Sequence, residues 1–220
     1  MIKVAILGYG TVGSGVVEVL TTNAGIIAKR AGQEVGVKYV LDLRDFPGDP
    51  IQSKVVHDFQ IILDDPEVDI VVETMGGTKP AYEFVKKALL AGKSVCTSNK
   101  ELVAAYGAEL VHLAKSKSVN FLFEASVGGG IPVLKPLTES LEGNDIESMY
   151  AILNGTTNFI LSKMYDEGLP YEKVLKEAQE LGFAEANPEA DVEGYDAARK
   201  LSILSTLAYH RRVYWKDFYL

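Results

Sequence analysis

The sequence feature that most constrains the fold is the glycine pattern GYGTVG, residues 8–13, which directly follows the apolar run IKVAIL, residues 2–7. The run shows no polar alternation, as expected of a central parallel strand that is covered on both faces. The residues from about Thr11 onward predict a helix. The sequence therefore predicts a tight glycine turn between a buried strand and a helix.

In that setting each glycine has a steric role. Gly8 allows the tight turn, Gly10 lets a pyrophosphate approach the backbone, and Gly13 lets the helix pack closely on the strand. The helix N-terminus also favours negative phosphates. The pattern indicates dinucleotide binding, and the alternative is an ordinary glycine-rich turn.

Strands and helices alternate through the first part of the chain. Further strands are predicted at VGVKYVL (35–41), IVVET (70–74), KSVCTS (93–98) and NFLFEA (120–125), with helices from about Thr11 through Ile27 and near 80–91 and 101–117. This alternation predicts an α/β fold, a Rossmann-type doubly wound parallel sheet.

The pattern changes after Gly130. IPVLKPLTESLEG predicts a helix, IESMYAILN a strand, residues 156–181 two helical segments, and Glu193–Tyr209 a long final helix. We therefore expect an NAD(P)-binding domain over residues 1–130 and a smaller α+β substrate-binding domain over residues 131–220.

Composition narrows the class of partner. The formal charge of −8 argues against a nucleic-acid or anionic-membrane surface, because both need a concentrated basic face. Cys96 is the single cysteine, so no internal disulfide forms, and the N-terminus shows no signal-peptide pattern. We expect a cytoplasmic protein that binds a small molecule, with no nucleic-acid or membrane partner.

Two residues at the end of the second strand, in LDLRD, bear on the choice of cofactor. Asp42 can accept from a ribose 2′-hydroxyl, which favours NAD, whereas Arg44 can pair with a 2′-phosphate, which favours NADP. Both can also be solvated loop charges, so the residues alone leave the choice open.

Two later strand ends carry polar candidates. Lys100, in TSNKEL, follows a predicted strand at the edge where ligands of open α/β sheets bind, although an exposed lysine opening a helix is the plain alternative. Glu124 begins FEASVGGGIP, whose glycines permit backbone groups to face a ligand or a hard monovalent cation. The same loop can instead be an interdomain hinge.

The segment GFAEANPEADVEG, residues 182–194, is predicted to be an acidic loop before the final helix. Asp196 and Lys200 then lie at i and i+4 on one helix face. An exposed salt bridge explains that pair, but the apolar residues flanking Lys200 place its stem near buried surface. Before them, ILNGTTNF offers Thr156 and Thr157 as helix caps and a polar wall for a substrate.

Together these motifs resemble the homoserine dehydrogenase family, in collinear order. They are ILGYGTVGSGVV, VVETMGG, CTSNKELVA, FEASVGGGIPV, ILNGTTNFILSKM and LGFAEANPEADVEGYDAARK. The resemblance implies NAD(P)H-dependent interconversion of L-aspartate 4-semialdehyde and L-homoserine in amino-acid biosynthesis, by a homodimer.

The resemblance also implies roles for single residues. Lys200 corresponds to the acid/base lysine, with Asp196 beside it. Glu185 and Asp191 correspond to acids that bind the substrate, and Lys100 to a lysine that contacts both cofactor and substrate. Further cofactor contacts are implied at Thr11, Val12 and Gly182, and a sodium site at Glu124, Val127, Gly129 and Ile131.

Two departures from the family pattern stand out. LDLRD is longer than the usual strand end and adds Asp42, so NADP is only slightly favoured over NAD. The chain also stops at Leu220, where relatives continue, and it carries neither an ACT regulatory domain nor an aspartate kinase. We expect a fragment of a longer enzyme.

The sequence leaves two other functions open. The chain can be an NAD(P)-binding module without turnover. An aspartate-semialdehyde dehydrogenase would instead need a cysteine nucleophile, for which Cys96 is the only candidate.

Overall fold

The computed structural model describes residues 1–220. The chain folds as two compact units, Met1–Gly129 and Gly130–Leu220.

The first unit is built on a six-stranded parallel sheet with strand order β3-β2-β1-β4-β5-β6. The strands are β1 Ile2–Leu7, β2 Val35–Leu41, β3 Val55–Val56, β4 Ile70–Glu73, β5 Ser94–Thr97 and β6 Phe121–Leu122. The helices are α1 Thr11–Thr22, α2 Ala24–Ala31, α3 Phe59–Asp64, α4 Ala81–Leu90 and α5 Lys100–Ser116. The predicted doubly wound sheet is confirmed.

The strand order reverses between β1 and β4. Ala5, Ile6 and Leu7 in β1 have no exposed surface, because strands pair with both edges of β1 and helices cover its faces. In a sheet of this order the crevice beyond the carboxyl ends at the reversal is where ligands bind. The fold therefore places the glycine turn, which follows β1, at that crevice.

The predicted helix from Thr11 through Ile27 is wrong in one respect, because it is two helices with a bend at Asn23. The bend follows Thr21, whose hydroxyl donates to the Val17 carbonyl at 2.8 Å, and Thr22. β-Branched residues and this type of side-chain bond both weaken a helix. No single helix of the chain is long and apolar enough to cross a bilayer; α1 and α2 reach that length and composition only as a pair, across a 77° bend.

The second unit contains helices as its only regular elements. These are α6 Gly155–Glu167, α7 Tyr171–Glu180, α8 Glu189–Val192 and α9 Tyr195–Ala208. Buried side chains of α6, α7 and the loop after α7 form a core of Ile160, Val174, Ala178 and Ala184.

Two predictions for this unit are wrong. IESMYAILN is not a strand, because a strand needs a partner for its backbone hydrogen bonds and the second unit contributes none. Within it Tyr150 is 94% exposed. IPVLKPLTESLEG forms a single π turn, Pro136–Ser140, rather than a full helix, since Pro132 and Pro136 lack the N–H that a helix interior uses.

Candidate active site

The glycine turn after β1 has the geometry that its sequence predicts. Gly8 has φ +96°, a conformation that glycine adopts without strain. A Cβ on Gly13 would lie 1.9 Å from the Gly8 carbonyl oxygen, whereas a Cβ on Gly10 would meet nothing within 4 Å. Gly13 therefore permits the close packing, and Gly10 keeps the approach to the backbone open.

Thr11 and Val12 form the first turn of α1, directly after Gly10. Val12 is 51% exposed although it is apolar, so it is accessible to a ligand that approaches the helix N-terminus. The N–H groups of a first helical turn have no partner within the helix and favour anionic groups.

A cavity of about 430 Å³ opens beside this turn. Its wall includes Gly8, Gly10, Arg44, Thr74 and Met75. It is mostly apolar, and its lining includes the charged side chains of Asp42 and Arg44, which suits a nucleoside more than a highly charged ligand. The turn and this cavity together fit a dinucleotide.

Asp42 and Arg44 form one ion pair at the end of β2. The Arg44 Nε and Nη2 atoms lie 3.0 Å from the two Asp42 carboxylate oxygens, and the same carboxylate accepts from the backbone N–H groups of Tyr9 and Arg44. Arg44 Nη2 also donates to the Tyr9 carbonyl at 3.1 Å. The hydrogen bonds from Arg44 hold the pKa of Asp42 well below its usual range.

Lys100 is the first residue of α5 and follows β5, at the same edge of the sheet as the glycine turn. The Asn99 side chain caps this helix by accepting from the Leu102 N–H at 3.1 Å. The sheet thus places Lys100 on the ligand side of the first unit.

The residues of the implied sodium site lie in the segment that follows β6. Glu124 begins a 3₁₀ turn, Glu124–Ser126, and the Val127 N–H donates to the Glu124 carbonyl at 3.3 Å. Gly129 ends the first unit, and Ile131, which is 71% exposed, belongs to the second. The chain has no cluster of three His, Cys, Asp or Glu side chains that suits a transition metal.

The second unit brings together three predicted residues, Asp191, Asp196 and Lys200, and one that was not predicted, Asn154. Lys200 Nζ donates to Asp196 Oδ2 and to the Leu153 carbonyl, both at 2.7 Å. Asn154 Nδ2 donates to Asp196 Oδ2 at 2.9 Å and to Asp191 Oδ1 at 2.7 Å. We call this group, Asn154, Asp191, Asp196 and Lys200, the lysine cluster.

Burial separates the lysine cluster from an ordinary surface salt bridge. The side chains of Asp196 and Lys200 are 3% and 18% exposed. By contrast, the pair Lys176–Glu180, also at i and i+4, is 77% and 67% exposed. An exposed ion pair contributes little to the free energy of unfolding. Asp196 and Lys200 are largely buried, so the exposed-salt-bridge alternative does not describe them.

Asn154 is the member that sequence reasoning missed. Thr156 and Thr157 were the predicted caps, but Asn154 is the N-cap of α6, and its Oδ1 accepts from the Thr157 N–H at 2.7 Å. Its amide nitrogen is then free to link the two aspartates. Asparagine is a preferred N-cap residue, and this preference could have identified Asn154 as the cap from the sequence.

Glu185 and Gly182 lie on the loop after α7. The Glu185 side chain is exposed, and its carboxylate takes no part in the hydrogen bonds of the lysine cluster. The neighbouring Phe183 carbonyl accepts from the Thr156 hydroxyl at 2.7 Å, which ties this loop to α6. The assignments of Glu185 to substrate and Gly182 to cofactor stay predictions.

Cys96 lies inside β5, where Val72 and Leu122 are its strand neighbours. Burial raises the pKa of the Cys96 thiol. A raised pKa reduces the thiolate that a nucleophilic mechanism needs, so this cysteine is a poor nucleophile.

Two family models match the chain. The model for the homoserine dehydrogenase NAD binding domain matches residues 8–124, and the homoserine dehydrogenase model matches residues 132–220. The homoserine dehydrogenase of Bacillus subtilis is 46% identical over 98% of this chain and 51% of its own length. That of Corynebacterium glutamicum is 44% identical over 99% and 49%. The chain spans about half the length of the curated relatives it matches.

Solved structures of homoserine dehydrogenases are also similar to this chain. A homoserine dehydrogenase from Thiobacillus denitrificans has a TM-score of 0.92 at 46% identity, covering 98% of this chain and 50% of that one. A hyperthermophilic archaeal homoserine dehydrogenase in complex with NADPH has a TM-score of 0.84 at 30% identity, covering 96% and 70%. With family models matching both halves and relatives aligned along nearly its whole length, this chain belongs to the homoserine dehydrogenase family.

Proposed function

We propose that this chain carries the cofactor and substrate sites of a homoserine dehydrogenase, which reduces L-aspartate 4-semialdehyde to L-homoserine with NAD(P)H. The observation that carries the proposal is the lysine cluster, a half-buried amine held by a buried carboxylate in the part of the chain that the homoserine dehydrogenase model matches. The proposed roles follow from its hydrogen bonds.

Lys200 is the proton donor in this proposal. Two of its three N–H groups bind Asp196 and the Leu153 carbonyl, which leaves the third for the substrate oxygen. A bound reduced nicotinamide would supply the hydride for the aldehyde carbon, and negative charge would develop on the carbonyl oxygen as the C=O bond becomes a single bond. Lys200 gives a proton to that oxygen, which completes the hydroxyl, and recovers one from water.

The acids have separate tasks. Asp196 holds the Lys200 amine in place through the 2.7 Å hydrogen bond to its Oδ2. Asp191 uses Oδ1 to accept from Asn154, which leaves Oδ2 for the substrate ammonium group, and exposed Glu185 offers a second carboxylate. Lys100 contributes from the nucleotide edge by contacting cofactor and substrate.

The assay that tests this function measures semialdehyde reduction by the purified chain, followed by the loss of NADPH or NADH absorbance. Turnover that depends on the semialdehyde is the expected result. Cofactor binding without turnover would instead support an NAD(P)-binding module, and the absence of both would contradict the proposal.

We propose that NADPH is the preferred cofactor. Both oxygens of Asp42 already accept hydrogen bonds, which leaves this carboxylate poorly placed for a ribose hydroxyl. Arg44 uses Nε and Nη2, so both Nη1 hydrogens remain for a 2′-phosphate, and the side chain is 62% exposed on the cavity wall. Arginine suits this task because its planar fork matches phosphate oxygens.

Replacement of Arg44 by alanine tests that preference. We expect the Kd for NADPH to rise about tenfold or more, because hydrogen bonds between charged groups contribute about 1.5–3 kcal/mol, while the Kd for NADH changes little. Fluorescence titration with both cofactors measures the two constants. Arg30→Ala, an exposed position on α2, is the matched control. A loss confined to NADH would contradict the proposal.

We further propose a sodium ion held by Glu124 and the carbonyls of Val127, Gly129 and Ile131. Carboxylate and carbonyl oxygens are hard donors, which suit a hard cation better than a transition metal. Its role would be to order the loop after β6. Homodimerisation and a cytoplasmic location are likewise proposals, supported by membership of the family.

A further inference from the structure

Glu73 is a fully buried carboxylate that the proposed chemistry does not use. It is the last residue of β4 and has no exposed surface. Its Oε1 accepts from the backbone N–H groups of Met75 at 2.8 Å and Gly76 at 3.3 Å, and its Oε2 accepts from the Thr97 hydroxyl at 2.6 Å. Burying a carboxylate is costly unless donors surround it, and here three donors do.

These contacts continue into a closed ring. Thr97 ends β5 directly opposite Glu73, and its hydroxyl oxygen accepts from the Asn99 N–H at 2.9 Å. The Asn99 side-chain amide then donates to the Gly77 carbonyl at 2.5 Å, which returns to the loop that Glu73 holds. We call this network of Glu73, Thr97, Asn99 and loop 75–77 the carboxylate ring.

One side of the ring reaches the glycine turn. The Thr74 hydroxyl lies 3.0 Å from the carbonyl oxygens of both Leu7 and Gly8. A Cβ added to Gly8 would meet Met75 at 3.2 Å, so loop 75–77 lies against the turn itself. The position of this loop therefore helps to shape the cavity wall.

The other side of the ring reaches Lys100. Asn99 uses its backbone N–H and side-chain amide in the ring and its Oδ1 to cap α5, which begins at Lys100. Residues Thr97 and Asn99 are 2% and 6% exposed, so water does not compete for these hydrogen bonds. An apolar side chain at position 73 could fill the space but could not join the two loops.

We propose that Glu73 is a positioning residue, which through Thr97 and Asn99 fixes Lys100 and loop 75–77 relative to the glycine turn and so tunes cofactor binding. The inference rests on the proposed cofactor site, but the ring can be tested without cofactor. Glu73 itself need not contact the ligand.

The sharpest test compares two substitutions of Thr97. Thr97→Val keeps the shape of the side chain and removes the hydroxyl, whereas Thr97→Ser removes a methyl group and keeps the hydroxyl. If the hydrogen bond matters, Thr97→Val should weaken cofactor binding and Thr97→Ser should not. If packing matters, Thr97→Ser should have the larger effect. Glu73→Gln keeps one carbonyl oxygen and is a third variant that alters the ring with little change in volume.

For the purified chain we expect Thr97→Val and Glu73→Gln to raise the Kd for NADPH about fivefold or more, because a buried polar group is left unsatisfied. Thr97→Ser should stay within about twofold of the wild type, because its hydroxyl can remake the ring. Val95→Ala, also in β5 and 1% exposed, is the destabilised control that leaves the ring intact. It should lower Tm and leave the Kd nearly unchanged.

Two measurements without cofactor complete the test. Amide exchange of Met75 and Gly76, and the rate of acylation of Lys100 relative to exposed Lys176, should both increase in Thr97→Val and Glu73→Gln and stay unchanged in Thr97→Ser. If the wild type binds no cofactor, the proposed function fails. The two measurements still show whether the carboxylate ring positions loop 75–77 and Lys100, because neither needs cofactor. Equal effects of Thr97→Ser and Thr97→Val, or unchanged values in Thr97→Val, would overturn the inference.

Discussion

Replacement of Gly13 by alanine is expected to weaken cofactor binding severely. The new Cβ would lie 1.9 Å from the Gly8 carbonyl oxygen and 3.0 Å from the Gly8 carbonyl carbon and Thr74 Oγ1. Backbone atoms cannot move aside as a flexible side chain can, so α1 must shift away from the turn. We expect the Kd for NADPH to rise about a hundredfold or more, equivalent to about 2.8 kcal/mol.

The same substitution should also reduce stability. Overpacking of this kind costs about 1–3 kcal/mol, and the free energy of unfolding from urea titration should fall by that amount. Fluorescence titration with NADPH measures the binding loss under conditions in which the variant is still folded.

Gly15→Ala is the matched control on the same helix. A Cβ at this position meets nothing within 4 Å, and alanine favours a helix by about 1 kcal/mol over glycine. We therefore expect unchanged cofactor binding and a small gain in stability. If Gly13→Ala bound NADPH as tightly as Gly15→Ala, the glycine turn would not be the cofactor site.

Replacement of Lys200 by methionine is expected to lower kcat for semialdehyde reduction by about 10²- to 10⁴-fold, the usual contribution of a general acid. Methionine keeps much of the apolar stem and removes the proton that the forming alkoxide takes up. The Kd for NADPH should stay unchanged, because the proposed loss is confined to proton transfer. Steady-state kinetics and a separate cofactor titration distinguish the two effects.

Lys176→Met controls for the loss of a lysine from an i, i+4 ion pair. Its partner Glu180 is 67% exposed, so neither stability nor turnover should change. Lys200→Met leaves the nearly buried Asp196 carboxylate without this cation, so circular dichroism must first show a folded variant. Wild-type turnover by folded Lys200→Met would remove Lys200 from the role of proton donor.

Local chemistry explains which parts of the fold the sequence predicts. Strands Ile2–Leu7 and Val35–Leu41 have the predicted bounds because continuous apolar runs between polar or glycine-rich segments suit buried parallel strands. The steric need for glycine at positions 8 and 13 is equally local, since it depends on a turn of six residues. Lys200 and Asp196 meet because helix geometry joins i to i+4.

The wrong predictions concern segments whose state depends on distant partners. IESMYAILN has strand-forming residues, but a strand also needs a neighbour, which no pattern within the segment can provide. The pairing of Asp42 with Arg44, and not with solvent, depends on the Tyr9 backbone, 33 residues from Asp42. The sequence alone therefore left the choice between NAD and NADP undecided at these two side chains.

The sequence by itself determined the family, the doubly wound sheet, the glycine turn and the identity of the candidate lysine and acids, because each follows from local sterics or from motifs in order. Only the tertiary structure showed that Asn154 links Asp191 to Asp196 and that Glu73 joins two loops through Thr97. Hydrogen bonds of this kind depend on atoms within about 3 Å of each other, a distance that the fold sets and that separation along the chain does not reveal.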